Sequence, residues 1–377
     1  MKKGWEIKAV GDVCKSASSN VSQNSLDTNI GEYPIYGASG LIKKVNFYHR
    51  DKPYLSIVKD GSGFGRITIM SAYTSVIGTL QYIIPNEEID LNYLYYNLLS
   101  IDFKKYVSGA AIPHIYFKDY KTEPFLWIPI KEQKELVAII DDAFESIESA
   151  KSNAEQNLKN AKELFESYLN DIFESKDKEW VIEPFEKVCN LVGGSQPSKD
   201  DFIYEPRNGY IRLIQVRDYR TSKFITYIPK EKARRFCSEN DIMIGRYGPP
   251  IFGIFKGLEG AYNVALMKAE VNNKLCDSEY FYWFLKTNKL RQFVEKSSKR
   301  AAGQDGIRKE LLDKYPVPFP KSIEKQKSIV RNIELLINET KRLESIYQQK
   351  LNDLEDLKKS ILQKAFNGEL KTSKISA

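Results

Sequence analysis

Residues 132–173 read EQKELVAIIDDAFESIESAKSNAEQNLKNAKELFESYLNDIF, and residues 325–366 read KQKSIVRNIELLINETKRLESIYQQKLNDLEDLKKSILQKAF. In the first, Leu136, Ile140, Ala143, Ile147, Ala150, Ala154, Leu158, Ala161, Leu164, Tyr168 and Ile172 recur every three or four residues. At a constant offset of 193 the second carries Ile329, Ile333, Leu336, Thr340, Leu343, Tyr347, Leu351, Leu354, Leu357, Ile361 and Ala365. This spacing predicts two long helices, each with a coiled-coil seam. At about 1.5 Å per residue each would run for about 60 Å. A helix that long with a single apolar stripe must find a partner. Its copy is the natural one, and because residues 179–322 lie between them the two can run antiparallel; the alternative is that each helix joins another protein.

Working outward from the helices, the whole chain proves to be written twice. GWEIKAVGDVCKSAS and EWVIEPFEKVCNLVG place Trp5, Ile7, Val13 and Cys14 on Trp180, Ile182, Val188 and Cys189 at an offset of 175. LNYLYYNLL and SEYFYWFLK match at 187, with Tyr93 on Tyr280, Tyr95 on Tyr282 and Leu98 on Leu285. The offset grows to 193 at Gln133 and Gln326, so the second copy has acquired loop insertions while its framework kept step. Each half follows one plan: a Trp-led strand, further strands with turn signals, a hairpin, a short Tyr-rich helix, a loop, an apolar strand ending in proline, and the long helix. The expected fold class is α+β, with two pseudo-repeated α/β globular domains separated by two long helices that form an antiparallel coiled coil. The expected boundaries are a first domain at 1–130, a first long helix at 131–178, a second domain at 179–322, a second long helix at 323–370 and a tail at 371–377.

Length and composition bound the function. A chain of 377 residues, 42% of them hydrophobic, suits two domains with real cores. No apolar run approaches membrane-spanning length, and MKKGWEIKAV meets Trp5 and Glu6 before an apolar segment can form, so a soluble, cytoplasmic protein is expected. Cys14, Cys189, Cys237 and Cys276 stand far apart, which argues for buried thiols over a zinc site or a disulfide framework. The net charge of +7 is uneven, being +2 over 1–130, −5 over 131–178, +7 over 179–322 and +3 over 323–377. In the second half Arg207, Arg212, Arg217, Arg220, Arg234, Arg235, Arg246, Arg291, Arg300 and Arg308 are interleaved with tyrosines, a pattern that suits nucleic acid and is equally that of a slightly basic solvated surface.

Two loops attract attention. LSIVKDGSGFGRITIM (55–70) has the spacing G-x-G-x-G and continues into an alternating strand, so it predicts a hairpin tip; a dinucleotide cradle needs G-x-G-x-x-G opening a helix. The twin of this stretch, NDIMIGRYGPPIFGIF (240–255), keeps strand, loop and basic residue, Arg246 for Lys59, without the glycine pattern. Both copies therefore offer a basic and aromatic tip, with Lys59, Ser62, Phe64 and Arg66 in one and Arg246 and Tyr247 in the other. The loops SGAAIPHIYFKDY and SKRAAGQDGIRKEL set His114, Tyr116 and Lys118 against Gln304, Arg308 and Lys309. Catalytic signals are lacking: the sequence has two histidines, His49 and His114, and no H-E-x-x-H, Walker A, Asn-Pro-Pro-aromatic or D-x-D pattern. Glu132-Gln133-Lys134 has the E-x-K form of a nuclease end, but its copy is Lys325-Gln326-Lys327 and it opens a helix, which favours a structural role.

Two variable halves, each followed by a long helix with a strand-proline lead-in, resemble the DNA specificity (S) subunit of type I restriction-modification systems. The resemblance covers nearly the whole chain and rests on IPIKEQK (128–134), VPFPKSIEKQK (317–327), the helix ends at Phe173 and Phe366, and the hairpins around Gly61 and Gly248. It implies a noncatalytic subunit whose globular parts are target-recognition domains that bind double-stranded DNA; because the two halves differ in sequence, the expected site is bipartite and asymmetric. It also implies helices that pack antiparallel and bind two methyltransferase (modification) subunits, which are joined in a cleaving complex by two restriction/translocase subunits. No cofactor is expected in this chain: S-adenosylmethionine belongs to the methyltransferase partner, and ATP and Mg to the restriction partner. The resemblance supplies no base-contacting residues. From side-chain chemistry, the candidates for bases and phosphates are Lys59, Ser62, Arg66, His114, Tyr116, Lys118, Gln215, Arg217, Arg220, Arg246, Tyr247, Lys299, Arg300, Gln304 and Arg308. The competing readings are a coiled-coil scaffold whose heads bind protein or RNA, and an enzyme with a phosphate site at Gly61–Gly65.

Overall fold

The computed structural model describes residues 4–109, 111–174, 178–247, 251–298 and 306–370. The chain divides into two compact units, Met1–Glu155 with Gln348–Ala377, and Gln156–Tyr347. The first unit contains β1 (Glu6–Ala9), α1 (Val10–Val13), β2 (Cys14–Ser18), β3 (Tyr33–Gly37), β4 (Gly40–Val45), β5 (Tyr54–Val58), β6 (Ile67–Met70), β7 (Ser75–Val76), β8 (Leu80–Pro85), α2 (Leu91–Leu99), α3 (Phe117–Tyr120) and β9 (Pro124–Trp127), and leads into α4 (Ile130–Phe173). An antiparallel sheet of order β2-β8-β5-β6 is backed by a smaller one of order β4-β3-β7, and β1 and β9 make a two-stranded ribbon. Every side chain of β5 is buried, because alternate residues serve two cores. Leu55 and Ile57 join Tyr93, Leu98, Phe125 and Ile140 on the helical side. Tyr54 and Val58 join Ile35, Val45 and Val76 against the smaller sheet.

The second unit repeats this plan. It contains β10 (Trp180–Pro184), α5 (Phe185–Val188), β11 (Cys189–Gly193), β12 (Tyr210–Ile214), β13 (Tyr227–Pro229), β14 (Phe236–Cys237), β15 (Ile242–Gly245), β16 (Ile254–Phe255), β17 (Gly260–Tyr262), β18 (Leu266–Val271), α6 (Ser278–Leu285), α7 (Asn288–Ser298), α8 (Lys309–Leu312), β19 (Pro316–Pro320) and α9 (Ile323–Phe366). The sheets are β11-β18-β15-β16 and β13-β12-β17-β14, and the ribbon is β10-β19. Even the parallel pairing inside the smaller sheet recurs, β3 with β7 and β12 with β17. The second copy adds β14 and α7. Its β15 alternates likewise, with Ile242 and Ile244 on the helical side and Met243 on the other.

The same hydrogen bonds lock each domain to the start of its long helix. Gln133 is fully buried. Its Nε2 donates to Glu88 O at 3.0 Å and Ile128 O at 2.8 Å, and its Oε1 accepts from Asp90 N at 2.8 Å. Gln326, also fully buried, donates to Leu275 O at 3.0 Å and Pro320 O at 2.8 Å and accepts from Asp277 N at 2.6 Å. Asp90 and Asp277 are in turn the N-caps of the Tyr-rich helices, each carboxylate accepting two backbone N–H groups of the first turn. From those helices Tyr93 Oη donates to Leu126 O at 2.7 Å and Tyr280 Oη to Pro318 O at 3.0 Å, which ties the helix to the ribbon. The E-x-K triplet is thereby accounted for structurally, by its middle residue.

Both long helices span 44 residues. In the first unit Lys151 pairs with Glu355 at 2.7 Å and Glu148 with Lys358, so α4 and the end of α9 run antiparallel there. In the second unit Phe165 and Leu169 line one cavity with Ile337 and Lys341, and Asp171 and Ile172 line another with Ser328 and Ile329, the same antiparallel sense. The expected seam leaves the interface at one position in each helix. Leu164 is 64% and Leu357 46% exposed, while Leu169, Phe173 and Leu362 are buried in their place. Each of these leucines follows two successive three-residue steps, 158-161-164 and 351-354-357, and because every such step falls about 60° short of a full turn the second carries the side chain off the interface. The four thiols are buried; burial pushes Cys14 up to about 12 and Cys237 up to about 11, and raises Cys189 and Cys276 further.

Replacing Gln326 or Gln133 by Leu leaves one buried carbonyl, one part-buried carbonyl and one part-buried N–H without their partner. Chemical denaturation is expected to show a loss of about 3 kcal/mol for each variant, far above that of an exposed Gln on the same helices.

Candidate nucleic-acid interface

The glycines of 61–65 form the tip of the β5–β6 hairpin, whose strands pair Ile57 with Ile67. Gly61 and Gly65 have φ of 90° and 79°, values that an L side chain rarely adopts. Gly65 also lies against Phe103, whose Cβ would be 3.0 Å from an added methyl. Gly65 N donates to Val58 O and Val58 N to Arg66 O, both at 2.9 Å, closing the loop as a hairpin. No helix follows to present its N-terminus to a phosphate, since Ile67–Met70 is a strand.

The second loop of the same unit is bonded to this tip. Gly61 N donates to Pro113 O and Ile115 N to Lys59 O, both at 2.9 Å. The side chains of Asp60 and His114 meet at 2.7 Å, and both are about a third exposed. The His114 ring lies nearly parallel to Tyr116 at 6.3 Å, and Lys118 Nζ lies 5.4 Å from the Tyr116 ring. Arg66 reaches from the hairpin to Ala38 O in the β3–β4 turn. Lys59, His114, Tyr116 and Lys118 therefore form one surface, Ser62 is exposed at the tip, and Arg66 is committed to the neighbouring turn. Asp60, which orients His114, escaped the sequence reading because the two are 54 positions apart with no local signal.

The second unit builds the corresponding surface from different side chains. Arg246 N donates to Ala265 O at 2.8 Å as Lys59 N donates to Thr79 O at 3.0 Å, and Ile307 N approaches Arg246 O as Ile115 N approaches Lys59 O. Tyr247 bridges to Gly306 as Asp60 bridges to His114. Arg308 caps α8 where Tyr116 caps α3. This register corrects the one expected from sequence: Gly306 stands opposite His114, and Glu310, not Lys309, opposite Lys118. The Arg246 guanidinium lies 5.0 Å from the Tyr247 ring, and Arg308 is exposed. Lys299, Arg300 and Gln304 lie outside the described residues, as does Gly248.

A further group enters from the smaller sheet. Gln215 Nε2 donates to Thr226 Oγ1 at 3.1 Å, and Arg217 Nη2 lies 3.3 Å from both Thr226 Oγ1 and Phe224 O. Behind them Asp218 is buried, 3.6 Å from Arg212 and 3.9 Å from Arg217, and burial raises its carboxyl above the usual range. Asn263 N donates to Ile214 O at 3.1 Å, so segment 263–265 is bonded at one end to the strand that leads into Gln215 and at the other to Arg246. Arg220 is exposed on the same short turn. Thr226, Asp218 and Asn263 had no sequence signal. Among the described residues no His, Cys, Asp and Glu side chains gather as a metal site, and no helix is long and apolar enough to cross a membrane.

The tip is held by backbone bonds, and the Asp60–His114 contact is about a third in solvent. Asp60→Asn should change stability by less than about 1 kcal/mol. Gly65→Val, which forces an L side chain to positive φ against Phe103, should cost about 1–3 kcal/mol in the same denaturation experiment.

The family model of the type I restriction modification DNA specificity domain matches residues 2–160 and again 177–355. The type I restriction enzyme MjaVIII specificity subunit of Methanocaldococcus jannaschii is 24% identical over 192 residues, which are 50% of this chain and 42% of that protein. The chain thus spans less than half the length of that relative. The type I restriction enzyme EcoDI specificity subunit of Escherichia coli is 22% identical over an alignment that spans 97% of this chain and 88% of that one. A solved chain from work on complex assembly and conformational transition of the type I R-M system superposes with a TM-score of 0.76 at 15% identity, over 98% of this chain and 99% of the other, and so shares its fold. With both halves of the chain matched, the protein belongs to the type I restriction-modification DNA specificity family and carries that family's domain twice.

Proposed function

We propose that this chain is the DNA-reading subunit of a type I restriction-modification complex, and that its two tips read the two parts of an asymmetric bipartite target. The observation that carries this is the duplicated frame with unlike tips. Equivalent backbone bonds position Lys59, Asp60, His114 and Tyr116 in one unit and Arg246, Tyr247, Gly306 and Arg308 in the other. Two copies of one scaffold with different donors and acceptors suit two different half-sites. Lys59, Arg246 and Arg308 are suited to guanine N7 and O6 or to phosphate, Gln215 to adenine, and His114 and Tyr116 to base edges. Ser62, Lys118, Arg217 and Arg220 are suited to phosphates, and Lys299, Arg300 and Gln304 remain candidates by chemistry alone. Arg66, bonded to Ala38 O, is better suited to holding the tip than to reading.

In this reading the chain performs no chemistry. It directs adenine methylation by two methyltransferase subunits carried on the long helices, and cleavage when restriction subunits join. S-adenosylmethionine is then the methyltransferase's cofactor, and ATP and Mg the restriction subunit's. Co-expression with a cognate methyltransferase and mapping of adenine methylation across a genome should give one bipartite motif, one part of which changes when residues 1–130 are exchanged for those of a relative. A stable complex without methylation would favour the scaffold reading. In the same assay Arg246→Ala or Arg308→Ala should relax a single base position at a cost of about 1–3 kcal/mol; a uniform loss across sequences assigns the residue to phosphate instead.

A further inference from the structure

In the second unit a cavity of about 460 Å³ lies where α6 and the start of α7 meet the long helices. Phe165, Tyr282 and Trp283 form its aromatic wall, and Lys286, Arg291 and Lys341 supply three cations. The Lys286 ammonium lies 4.2 Å from the Tyr282 ring and 5.2 Å from Trp283. The one carboxylate in the lining, Glu166, accepts from Asn288 Nδ2 at 2.8 Å, and Asn288 Oδ1 accepts from Arg291 Nη2 at 2.7 Å. With Glu166 in the lining and Glu295 4.0 Å from Arg291 Nε, the three cations still outnumber the carboxylates, so the cavity favours an anion.

The duplication provides an internal comparison. At the offsets of the repeat Lys286 and Lys341 fall on Leu99 and Glu148, and Glu148 is neutralised by Lys358. The helix that carries Arg291 has as its counterpart in the first unit a single 3-10 turn, Phe103–Tyr106. The shared architecture therefore does not require these cations. We propose that the cavity binds a mononucleotide, with its phosphate held by Lys286, Arg291 and Lys341 and its base against Tyr282 and Trp283. The volume suits such a ligand. Arginine and lysine are the side chains that grip phosphate, by fork and by point charge. When Lys286 swings to the phosphate it frees its place beside the Tyr282 and Trp283 rings for a heterocycle, while Lys256, 4.4 Å from the Tyr282 ring and paired with Glu279, stays where it is.

This inference stands apart from the proposed function. The test is titration of the full chain with AMP and ATP, read by tryptophan fluorescence. Saturable quenching is expected in the unaltered protein and should be absent from Trp283→Phe. Lys286→Met and Lys341→Glu, both exposed positions whose folding is checked by thermal melting, should weaken binding about tenfold or more. No saturable signal with either nucleotide at millimolar concentration overturns the proposal. An equal response to inorganic phosphate also overturns it, since the base would then have no role. Weakened duplex binding by Lys341→Glu without any nucleotide signal would reassign the cations to the DNA backbone.

Discussion

A single buried amide, present once in each half, is the constraint on which the rest of the structure depends. Gln133 and Gln326 each span three backbone groups that belong to three elements: the segment entering the Tyr-rich helix, the cap of that helix, and the end of the ribbon strand that leads into the long helix. A primary amide has both donors and an acceptor on one rigid plane, so it can fix the mutual orientation of three elements where an apolar side chain would merely fill space. The loops that carry the candidate contacts are thereby referenced to a helix axis through buried bonds.

With the frame secured, the tips are free to differ. The bonds that place Lys59 and Arg246 use only main-chain atoms, as do those between Ile115 and Lys59 and between Ile307 and Arg246. Main-chain anchoring leaves side-chain identity unconstrained, which is the physical condition for a scaffold whose surface varies while its geometry does not. The first tip presents an acid, a histidine and a tyrosine around its lysine. The second presents two arginines and a tyrosine.

The long helices and the doubling of the chain were legible because both are periodic signals that lie on contiguous residues. The Trp, Tyr and Gln landmarks were legible for the same reason, and each proved to occupy an equivalent place in its unit. Contacts that join distant segments were not legible. Asp60 and His114, or Gln215 and Thr226, have no pattern that links them in one sequence. The register of the second loop was misjudged for a similar cause: α7, which replaces a single 3-10 turn, moves the offset from 187 at Tyr280 to 192 at Ile307, so counting residues from one landmark fails where hydrogen bonds succeed. The seam failed only at Leu164 and Leu357, each reached by a second consecutive three-residue step that turns it away from the partner helix.

The division of the chain has a consequence for how the molecule is made. The second unit is a continuous stretch, Gln156–Tyr347, whereas the first needs residues from both ends of the sequence. The core of the first unit includes Leu362 and Ala365 alongside Trp5 and Ile140, and Phe366 meets Tyr93 at 5.4 Å. On the ribosome the second unit can therefore close while synthesis continues, but the first must hold an apolar face open until the last turns of α9 emerge. The half that is translated first is the half that is completed last.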